Sequence, residues 1–452
     1  MKVGFVSLGC SKNLVDTEIA IGILKEHGME IVNNPEEAEM IIVNTCGFID
    51  SAKEEAINTL LEMSEYKKKK CKYLIAMGCL VQRYTDELKR SMPEVDLWIR
   101  LDQYGHFYTD IENLINNKLE NSNKKYGKLT NYPKEPLPLP TKEQFFEREI
   151  STGENFAYLK IGEGCSNRCT YCAIPFIRGP FISRPEEDII EEAKLLAKKG
   201  IKELIVIAQD TTKYGLDLYG EPRLAQLLRK LCKIDGIEWI RFLYSYPEGI
   251  DDELIKAVKE EKKICKYFDI PIQHISNSVL KRMNRKTNKQ NIEDVISKIR
   301  ANIPDVIIRT TVMVGFPGET KEDFNELCEF LKKAKFENLG AFTYSKEDGT
   351  PASRLKEQVH YMTKKSRYNK IMQIQQEVSK ENLEKLIGKE IKVLVEGITF
   401  DEKYYVGRSQ YEVPDIDGIV YIKNDKELEI GNFVNCIIVD SNEYDLITEI
   451  KK

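Results

Sequence analysis

Short apolar segments alternate with amphipathic helical patterns along most of the sequence, and this alternation limits the folds that the chain can adopt. In the first 120 residues, segments 2–8, 40–44 and 73–77 are typical of buried strands. A helical pattern follows each of them, at 16–27, 51–68 and 82–90. Parallel strands need such crossover helices, so residues 1–120 are predicted to form a doubly wound α/β domain.

A second, longer series of strands and helices follows a stretch that is rich in proline. Residues 121–140 lose periodicity and contain four prolines, which predicts a linker that is stiff in its second half. Six strands are then predicted at 156–161, 202–208, 238–244, 266–272, 305–314 and 338–344. Helical patterns lie between them at 186–199, 221–233, 251–261, 290–301 and 320–334. Six such units predict a partial (βα)6 barrel, with functional residues at the carboxyl ends of the strands.

The last part of the chain has a different pattern. A helical segment over 356–388 ends at Gly388 and is predicted to connect the barrel domain, residues 141–388, with a terminal domain. Residues 389–452 contain short strands at 391–395, 404–407, 418–421 and 433–439, which is typical of a small antiparallel β-barrel. This segment has 14 Asp and Glu against 8 Lys and Arg. Such an acidic barrel repels phosphate and suits a basic protein partner.

Composition and charge narrow the classes of function. The chain has 452 residues, 31% of them charged, and a formal net charge of −5, which argues against a generally basic nucleic-acid-binding protein. Residues 3–8 have the pattern of a strand and not of a signal peptide, and no apolar stretch reaches the roughly 18 residues that span a bilayer. We therefore expect a cytoplasmic protein in a reducing environment, with no membrane partner.

Three cysteines lie within eight residues, directly after the first strand of the second series. Cys165, Cys169 and Cys172 are spaced four and then three residues apart. In a reducing compartment, clustered cysteines are more often metal ligands than disulfides. Three thiolates can bind three irons of a cubane cluster and leave the fourth iron open to a small molecule, whereas ferredoxin-type carriers provide four cysteines for each cluster. A structural zinc ion or plain buried thiols are the alternatives for this site.

A second group of three cysteines is predicted from the order of the strands. Cys10, Cys46 and Cys79 each follow one of the three strands of the first domain, and a glycine stands next to each of them. The carboxyl ends of parallel strands meet at one edge of a sheet, so we expect these thiols to lie close together. The alternative is that cysteine is simply common in buried positions. Four other cysteines are expected to have no such role: Cys71, Cys232, Cys265 and Cys328.

Polar or glycine-rich segments follow the later strands of the predicted barrel, at 209–212, 244–247, 273–276 and 315–319. Their side chains and backbone groups lie where a barrel of this kind binds a cofactor. The segment 315–319 lacks the Lys-Ser/Thr pair of a phosphate-binding loop and is therefore not a P-loop. His274 is expected to be a hydrogen-bonding residue and not a general base.

These motifs resemble those of known families. CxxxCxxC with Tyr171 before its last cysteine resembles the signature of the radical S-adenosylmethionine (SAM) superfamily. A three-cysteine domain, a barrel with this motif and a TRAM-like barrel, in that order, resemble the methylthiotransferases over essentially the whole chain. Segments 7–18, 164–179, 208–220 and 271–276 are similar to the RimO-type branch. Branches that modify tRNA typically have Gln-Met-Asn or Lys/Arg-Val-Asn near the first cysteine, where this chain has Ser11-Lys12-Asn13.

The resemblance implies an activity and a set of cofactors. The RimO-type branch adds a methylthio group to the β-carbon of an aspartate in small-subunit ribosomal protein twelve, with SAM as methyl donor and radical source. The CxxxCxxC cysteines would ligate the 4Fe–4S cluster that cleaves SAM, and the three strand-end cysteines would ligate an auxiliary 4Fe–4S cluster that handles the inserted sulfur. Tyr171, Gly315 and Glu319 are expected to contact SAM. An electron donor of unknown identity is required, and no catalytic residue is predicted beyond the cluster ligands.

Two other functions stay open. One is the same chemistry on a modified adenosine in tRNA, which the acidic terminal barrel and the Ser-Lys-Asn segment disfavour, so tRNA is not the expected partner. The other is a non-catalytic iron–sulfur module for electron transfer. It predicts complete ligation of each cluster and no cleavage of SAM.

Overall fold

The computed structural model describes residues 1–118, 126–127, 132–153 and 155–451. The linker predicted at 121–140 lies outside the described residues at 121–125 and 128–131. Its later part packs against the second domain, where the ring of Tyr132 stacks on that of Phe176 with 4.2 Å between the centroids. None of the helices in this described part of the chain has the length and apolar character that crossing a bilayer requires.

The first domain is built on a parallel sheet of five strands. They are β1 (Lys2–Ser7), β2 (Glu30–Val32), β3 (Met40–Thr45), β4 (Tyr73–Gly78) and β5 (Leu97–Ile99). Their order in the sheet is β2-β1-β3-β4-β5, and every pairing is parallel. The helices are α1 (Ser11–Glu26), α2 (Asp50–Ser64), α3 (Cys79–Ser91) and α4 (Phe107–Ile115), with 3₁₀ segments at Glu65–Lys68 and Leu101–His106. The edge strands β2 and β5 are absent from the prediction, because three residues are too few to show a period.

Both faces of this sheet are covered, because its central strand is apolar on both sides. Ile41 and Val43 of β3 point into one apolar cluster, which also contains side chains of α2 and α3. Met40 and Ile42 point the opposite way, into a cluster that contains side chains of α1 and α4. The doubly wound fold predicted from the sequence is therefore confirmed.

The second domain contains six parallel strands that form a partial barrel. The barrel strands are β6 (Phe156–Lys160), β9 (Glu203–Ile207), β10 (Trp239–Phe242), β11 (Tyr267–Gln273), β12 (Ile307–Val314) and β13 (Asn338–Thr343). Two short strands lie outside the barrel, β7 (Gly162–Glu163) and β8 (Ile182–Ser183). The barrel strands pair as β10-β9-β6 and as β11-β12-β13, while β7 and β8 form a separate antiparallel ribbon. An isolated bridge between Ile240 and Ile264 joins the two halves. The predicted partial (βα)6 barrel is confirmed.

This domain also contains helices, several of which cover the outside of the barrel. They are α5 (Lys142–Phe146), α6 (Ile174–Arg178), α7 (Glu186–Lys198), α8 (Leu216–Tyr219), α9 (Leu224–Leu231), α10 (Asp252–Glu260), α11 (Asn277–Arg282), α12 (Lys289–Asn302), α13 (Lys321–Ala334) and the connector α14 (Tyr361–Glu384). Three 3₁₀ segments lie at Thr211–Lys213, Pro247–Gly249 and Pro351–Arg354. Helices α7, α9, α10, α12, α13 and α14 contribute to one apolar core on the outer face of the barrel strands.

The terminal domain is a closed barrel of five strands. They are β14 (Glu390–Ile398), β15 (Tyr404–Arg408), β16 (Val420–Lys423), β17 (Phe433–Ser441) and β18 (Leu446–Ile450), in the order β14-β15-β16-β18-β17. Four of these pairings are antiparallel, but β16 and β18 are parallel. The sequence predicts an antiparallel barrel without β18. Two chain reversals separate β16 from β18, so the two strands run in the same direction when they become neighbours.

The concave inner face of the partial barrel is filled by the other two domains. Val15 and Ile19 of α1 pack there, together with Leu394 and Val413 of the terminal barrel. An ion pair fastens the terminal barrel at the amino end of β9, where the fully buried carboxylate of Glu203 contacts Arg408 of β15 at 2.8 Å. The same carboxylate accepts a hydrogen bond from Arg241 of β10, also at 2.8 Å. The terminal barrel therefore does not cover the carboxyl ends of the barrel strands, and the first domain packs there.

Candidate active site

The structure brings together the three cysteines that follow the strands of the first domain. Cys10 immediately precedes α1, Cys46 follows β3, and Cys79 is the first residue of α3. A Cβ atom at Gly9, whose φ is +89°, would lie only 2.9 Å from Sγ of Cys46. A Cβ atom at Gly47 would lie 3.1 Å from the carbonyl carbon of Cys79. The glycines beside these cysteines therefore let three loops approach within contact distance.

Two asparagines fix the strand ends that carry this group. The Asn13 Nδ2 group donates to the carbonyls of Leu8 and Thr45, at 2.9 and 3.0 Å. The Asn44 Nδ2 group donates to the carbonyl of Asn13, at 2.8 Å. These bonds join the ends of β1 and β3 to the first turn of α1, so the loops that hold Cys10 and Cys46 are preorganised.

The electrostatic surroundings differ among the three thiols. Cys10 is exposed, and although the surrounding protein partly desolvates its thiol, the positive charges of Lys12 and Arg178 outweigh that effect and lower its pKa. Burial raises the pKa of Cys46, and the neighbouring Cys10 adds to that effect. Burial also raises the pKa of Cys79 to about 12, despite the nearby guanidinium of Arg178. Cysteine binds a metal as the thiolate, so a metal at this group would have to displace protons from Cys46 and Cys79.

The CxxxCxxC cysteines lie on the loop after β6, at the carboxyl end of the barrel strands, as predicted. The β7–β8 ribbon frames this loop, and the amide of Cys165 donates to the carbonyl of Gly179 at 3.0 Å. The amide of Cys172 donates to the carbonyl of Cys169, also at 3.0 Å. Burial raises the pKa of Cys172, and the neighbouring Cys165 and Cys169 raise it further. The three thiols are thus close enough to influence one another.

Each group offers three cysteine thiols as donors. Among the described residues, no three side chains of Cys, His, Asp or Glu converge on one metal position. A tetrahedral zinc needs four ligands around one ion. In a cubane cluster, by contrast, each thiolate binds a different iron, so the sulfurs surround the cluster and do not converge on a point. Three thiolates are the donors that a 4Fe–4S cluster with one open iron takes, so the chemistry of each group is compatible with such a cluster; the assignment of a cluster to each group stays a prediction.

Of the three residues predicted to contact SAM, Tyr171 belongs to the CxxxCxxC loop, and Gly315 and Glu319 belong to the turn between β12 and α13. Tyr171 packs edge-to-face on Phe316, with 6.5 Å between the centroids. Gly315 immediately precedes Phe316 and has a φ of +72°. The buried Glu319 accepts hydrogen bonds from the amide of Phe316 and from Arg367, at 2.9 and 2.8 Å. Both carboxylate oxygens of Glu319 thus accept a hydrogen bond from the protein itself. The SAM contacts themselves stay predictions.

His274 has the structural role expected from the sequence. Its Nδ1 atom accepts a hydrogen bond from the amide of Ser276 at 3.0 Å. Burial lowers its pKa to about 4, so the ring is neutral near neutral pH. The four cysteines expected to have no role, Cys71, Cys232, Cys265 and Cys328, are free thiols, and each lies in or against an apolar cluster.

Two arginines join the two cysteine groups across the domain interface. Arg178, six residues after Cys172, places its Nη2 atom 3.4 Å from Sγ of Cys79. Arg83, four residues after Cys79, donates to the carbonyl of Gly47 at 3.0 Å, and its charge also acts on the Cys172 thiol. Sequence reasoning missed both residues. Their spacing after a cysteine, about one helical turn or two, is the signal that could have indicated them.

A buried ionic network surrounds Arg178. Its guanidinium donates to the carboxylates of Asp16 and Glu163, both at 2.8 Å, and to Oδ1 of Asn13 at 2.7 Å. Lys160 pairs with the same carboxylates, at 2.7 Å from Asp16. All four charged side chains are at most 7% exposed. The network contains two positive and two negative charges, and it binds α1 of the first domain to the strands of the second.

The sequence matches three family models in the same order as the structural domains. Residues 2–100 match "Uncharacterized protein family UPF0004", residues 159–331 match the radical SAM superfamily, and residues 387–450 match the TRAM domain.

Curated relatives match the whole chain. Proteins named "Ribosomal protein uS12 methylthiotransferase RimO" are 59% identical in Alkaliphilus oremlandii over 451 residues, and 50% identical in both Acetivibrio thermocellus and Clostridioides difficile over 449 and 451 residues. These alignments cover 99–100% of this chain and 98–99% of the relatives.

Solved structures resemble the fold at low sequence identity. TsrM from Kitasatospora setae, a radical SAM methyltransferase solved with cobalamin and a [4Fe-4S] cluster bound, has a TM-score of 0.57 at 11% identity, over 78% of this chain and 76% of that one. The cobalamin-dependent radical enzyme OxsB has a TM-score of 0.52 at 13% identity, over 84% of this chain and 56% of its own. At these identities the likeness extends to the fold alone.

Proposed function

The chain belongs to the RimO family of ribosomal protein uS12 methylthiotransferases, and we propose that it attaches a methylthio group to the β-carbon of an aspartate in uS12, the small-subunit ribosomal protein twelve. The observation that carries this proposal is the placement of two three-cysteine groups on either side of one domain interface, with Arg178 reaching from one group to the other. A reaction that needs both a radical source and a sulfur donor requires such a pair of sites.

We assign one 4Fe–4S cluster to each group as its cofactor. With SAM bound, the cluster at Cys165, Cys169 and Cys172 would supply a 5′-deoxyadenosyl radical. The cluster at Cys10, Cys46 and Cys79 would hold the sulfur to be inserted, to which SAM also gives the methyl group. A radical is needed because the β-carbon of aspartate lacks the acidity that a general base could use. Three ligands in each group leave an iron open, which also argues against the electron-transfer alternative.

The chain's own residues position these sites, and aromatic side chains shield the CxxxCxxC loop from water. Tyr171, Phe316 and Tyr344 form a contiguous aromatic layer beside the CxxxCxxC loop, with 5.4 Å between the centroids of the last two. The buried network around Arg178 fixes the first domain on the second. Positive charges on Arg178 and Lys12 compensate for thiolates in the strand-end group. Exclusion of water protects a radical from side reactions.

The substrate assignment is supported by charge. The terminal barrel is acidic, as its sequence shows, and it therefore suits a basic ribosomal protein better than the phosphates of tRNA. The reaction also needs a reductant for the SAM-cleaving cluster, which we propose to be a separate electron donor. A ribosomal substrate and free thiols that must stay reduced support a cytoplasmic location.

The test uses full-length protein reconstituted without oxygen and supplied with uS12, SAM and a reductant. We expect the aspartate of uS12 to gain about 46 Da, the mass of SCH₃ less that of H, and we expect 5′-deoxyadenosine to form. Cys169→Ala should abolish 5′-deoxyadenosine, whereas Cys46→Ala should still form it but leave uS12 unmodified. Cys71→Ala is the matched control, since Cys71 is a buried thiol at the opposite end of the sheet. Methylthiolation by Cys46→Ala would overturn the assignment of two clusters.

A further inference from the structure

Lys12 is a buried cation without a carboxylate partner among the described residues. The residue is only 7% exposed, and its Nζ atom lies 3.2 Å from the centroid of the Tyr244 ring. The comparably buried Lys160, by contrast, pairs with two carboxylates. Contact with an aromatic face offsets only part of the cost of removing an ammonium group from water. The charge of Lys12 acts on the nearby Cys10 thiol, but among the described residues no carboxylate pairs with its ammonium group, which leaves that group able to bind an incoming one.

The contact between Lys12 and Tyr244 joins two chain segments that lead to the two cysteine groups. Lys12 belongs to the first turn of α1, two residues after Cys10. Tyr244 follows β10 at the carboxyl end of the barrel strands, and Tyr246 on the same loop has its Oη atom 4.0 Å from Sγ of Cys169. The chain segments on either side of the Lys12–Tyr244 contact thus lead to one cysteine group each.

The backbone holds Tyr244 in an unusual conformation for this contact. Its φ is +62°, a value that residues other than glycine rarely adopt. Its amide donates to Oδ2 of Asp269 at 2.9 Å, and its carbonyl accepts from the amide of Thr211 at 3.1 Å. Neighbouring strand ends therefore enforce the strained backbone, and such enforced strain is typical of functional positions.

Other cations near the cysteines are already engaged. Arg178 pairs with Asp16 and Glu163, and Arg83 pairs with Glu347 at 2.6 Å. Arg285 donates to the carbonyl of Pro271 at 2.9 Å and lies 4.0 Å from Sγ of Cys169. The backbone amide of Lys12 bonds to the Cys10 thiol, but no hydrogen bond joins the Lys12 ammonium group to a cysteine in the part of the chain that the structure describes. Lys12 is therefore the cation whose donors are available to an incoming carboxylate.

We propose that Lys12 binds the carboxylate of the substrate aspartate and thereby selects aspartate over asparagine. This inference rests on the proposed function. The β-carbon of aspartate is bonded directly to its carboxylate carbon. A carboxylate bound to the Lys12 ammonium group therefore holds the β-carbon beside the contact that joins the segments leading to the two cysteine groups. An ammonium offers donors only, so it pairs with a carboxylate but leaves the amide NH₂ of asparagine without an acceptor.

The test measures binding of uS12 and of its variant with asparagine at the modified position. Reconstituted full-length enzyme is titrated without SAM, and affinities are read by fluorescence anisotropy. Wild-type enzyme should bind the aspartate form about ten- to hundredfold more tightly than the asparagine form, as expected for a hydrogen bond between charged groups. Lys12→Met keeps the length and shape of the side chain, and it should reduce this ratio to about one. Lys12→Arg should restore part of the ratio.

Controls separate substrate binding from other roles of Lys12. Lys25→Met, at the other end of the same helix and in an exposed pair with Glu149, should leave the ratio unchanged. Iron analysis should give about eight irons per chain for Lys12→Met, as for the wild type. An unchanged ratio in Lys12→Met, or a fall to about four irons, would overturn the assignment of Lys12 alone. Failure of the wild type to methylthiolate uS12 would instead overturn the proposed function, and this inference with it.

Discussion

Replacing Arg178 by glutamine tests whether the buried network holds the first two domains together. The substitution removes hydrogen bonds to Glu163, Asp16 and Asn13, each between 2.7 and 2.8 Å, and a donor 3.4 Å from Sγ of Cys79. Asp16 and Glu163 then keep Lys160 as their buried cation, so the site holds two negative charges and one positive charge. Removing one partner of a buried ion pair typically costs about 3–5 kcal/mol.

This cost is large against the total stability of a protein, which is about 5–15 kcal/mol. We expect the melting temperature of Arg178→Gln to fall by on the order of 10 °C, measured by circular dichroism on the protein without clusters. The matched control is Arg229→Gln, because Arg229 makes a partly exposed pair with Glu260 at 2.7 Å. Partly exposed pairs contribute below about 1 kcal/mol, so this control should melt within a few degrees of the wild type.

A second measurement reports where the destabilisation acts. Hydrogen exchange should become faster in α1 and β6, which Asp16 and Lys160 join, and should stay unchanged in the terminal barrel. Equal melting temperatures for Arg178→Gln and Arg229→Gln would refute the reasoning. So would faster exchange confined to the terminal barrel, since the network does not reach that domain.

Two further predictions concern a glycine and a carboxyl group. Gly9→Ala should reduce the iron content from about eight to about four per chain while 5′-deoxyadenosine still forms, because the added Cβ meets Sγ of Cys46; full iron content would contradict this. Burial raises the pKa of Glu412 from 4.5 to about 7. Between pH 4.5 and about 7 the folded state therefore keeps a proton on this carboxyl group that the unfolded state has lost. Stability should therefore fall by up to about 3 kcal/mol as pH rises through this window, and Glu412→Gln should remove the dependence, as melting curves across pH would show.

The placement of the cysteines could be predicted because it depends only on the order of the elements. Parallel strands bring their carboxyl ends to one edge wherever the intervening helices pack, so Cys10, Cys46 and Cys79 had to become neighbours once the sheet formed. Neither the length of the helices nor their side-chain packing enters this argument. The sequence did not predict the strands that are too short to show a period, or the parallel pairing of β16 with β18. Both depend on tertiary packing.

The start of α1 shows why the other site residues could not be predicted. The sequence predicts this helix from residue 16, but it begins at Ser11. Ser11, Lys12 and Asn13 are polar and give no apolar period, although Lys12 and Asn13 are buried in the structure. Their burial depends on contacts with residues far away in the sequence, such as Tyr244 for Lys12. Sequence periodicity reports which side of a helix is apolar, not which polar groups find a distant partner.

Helix α1 also explains how two sites on different domains keep a fixed relation. Cys10 precedes its first residue, while Val15 and Ile19 pack into the concave face of the second domain. At Gly22 the helix lies so close to that domain that a Cβ atom would be 2.4 Å from the carbonyl oxygen of Glu147. One element thus carries a cysteine of the first group and is itself part of the core of the domain that holds the second. The spacing of the two groups is therefore set by the packing of α1 and not by the linker that joins the domains along the chain.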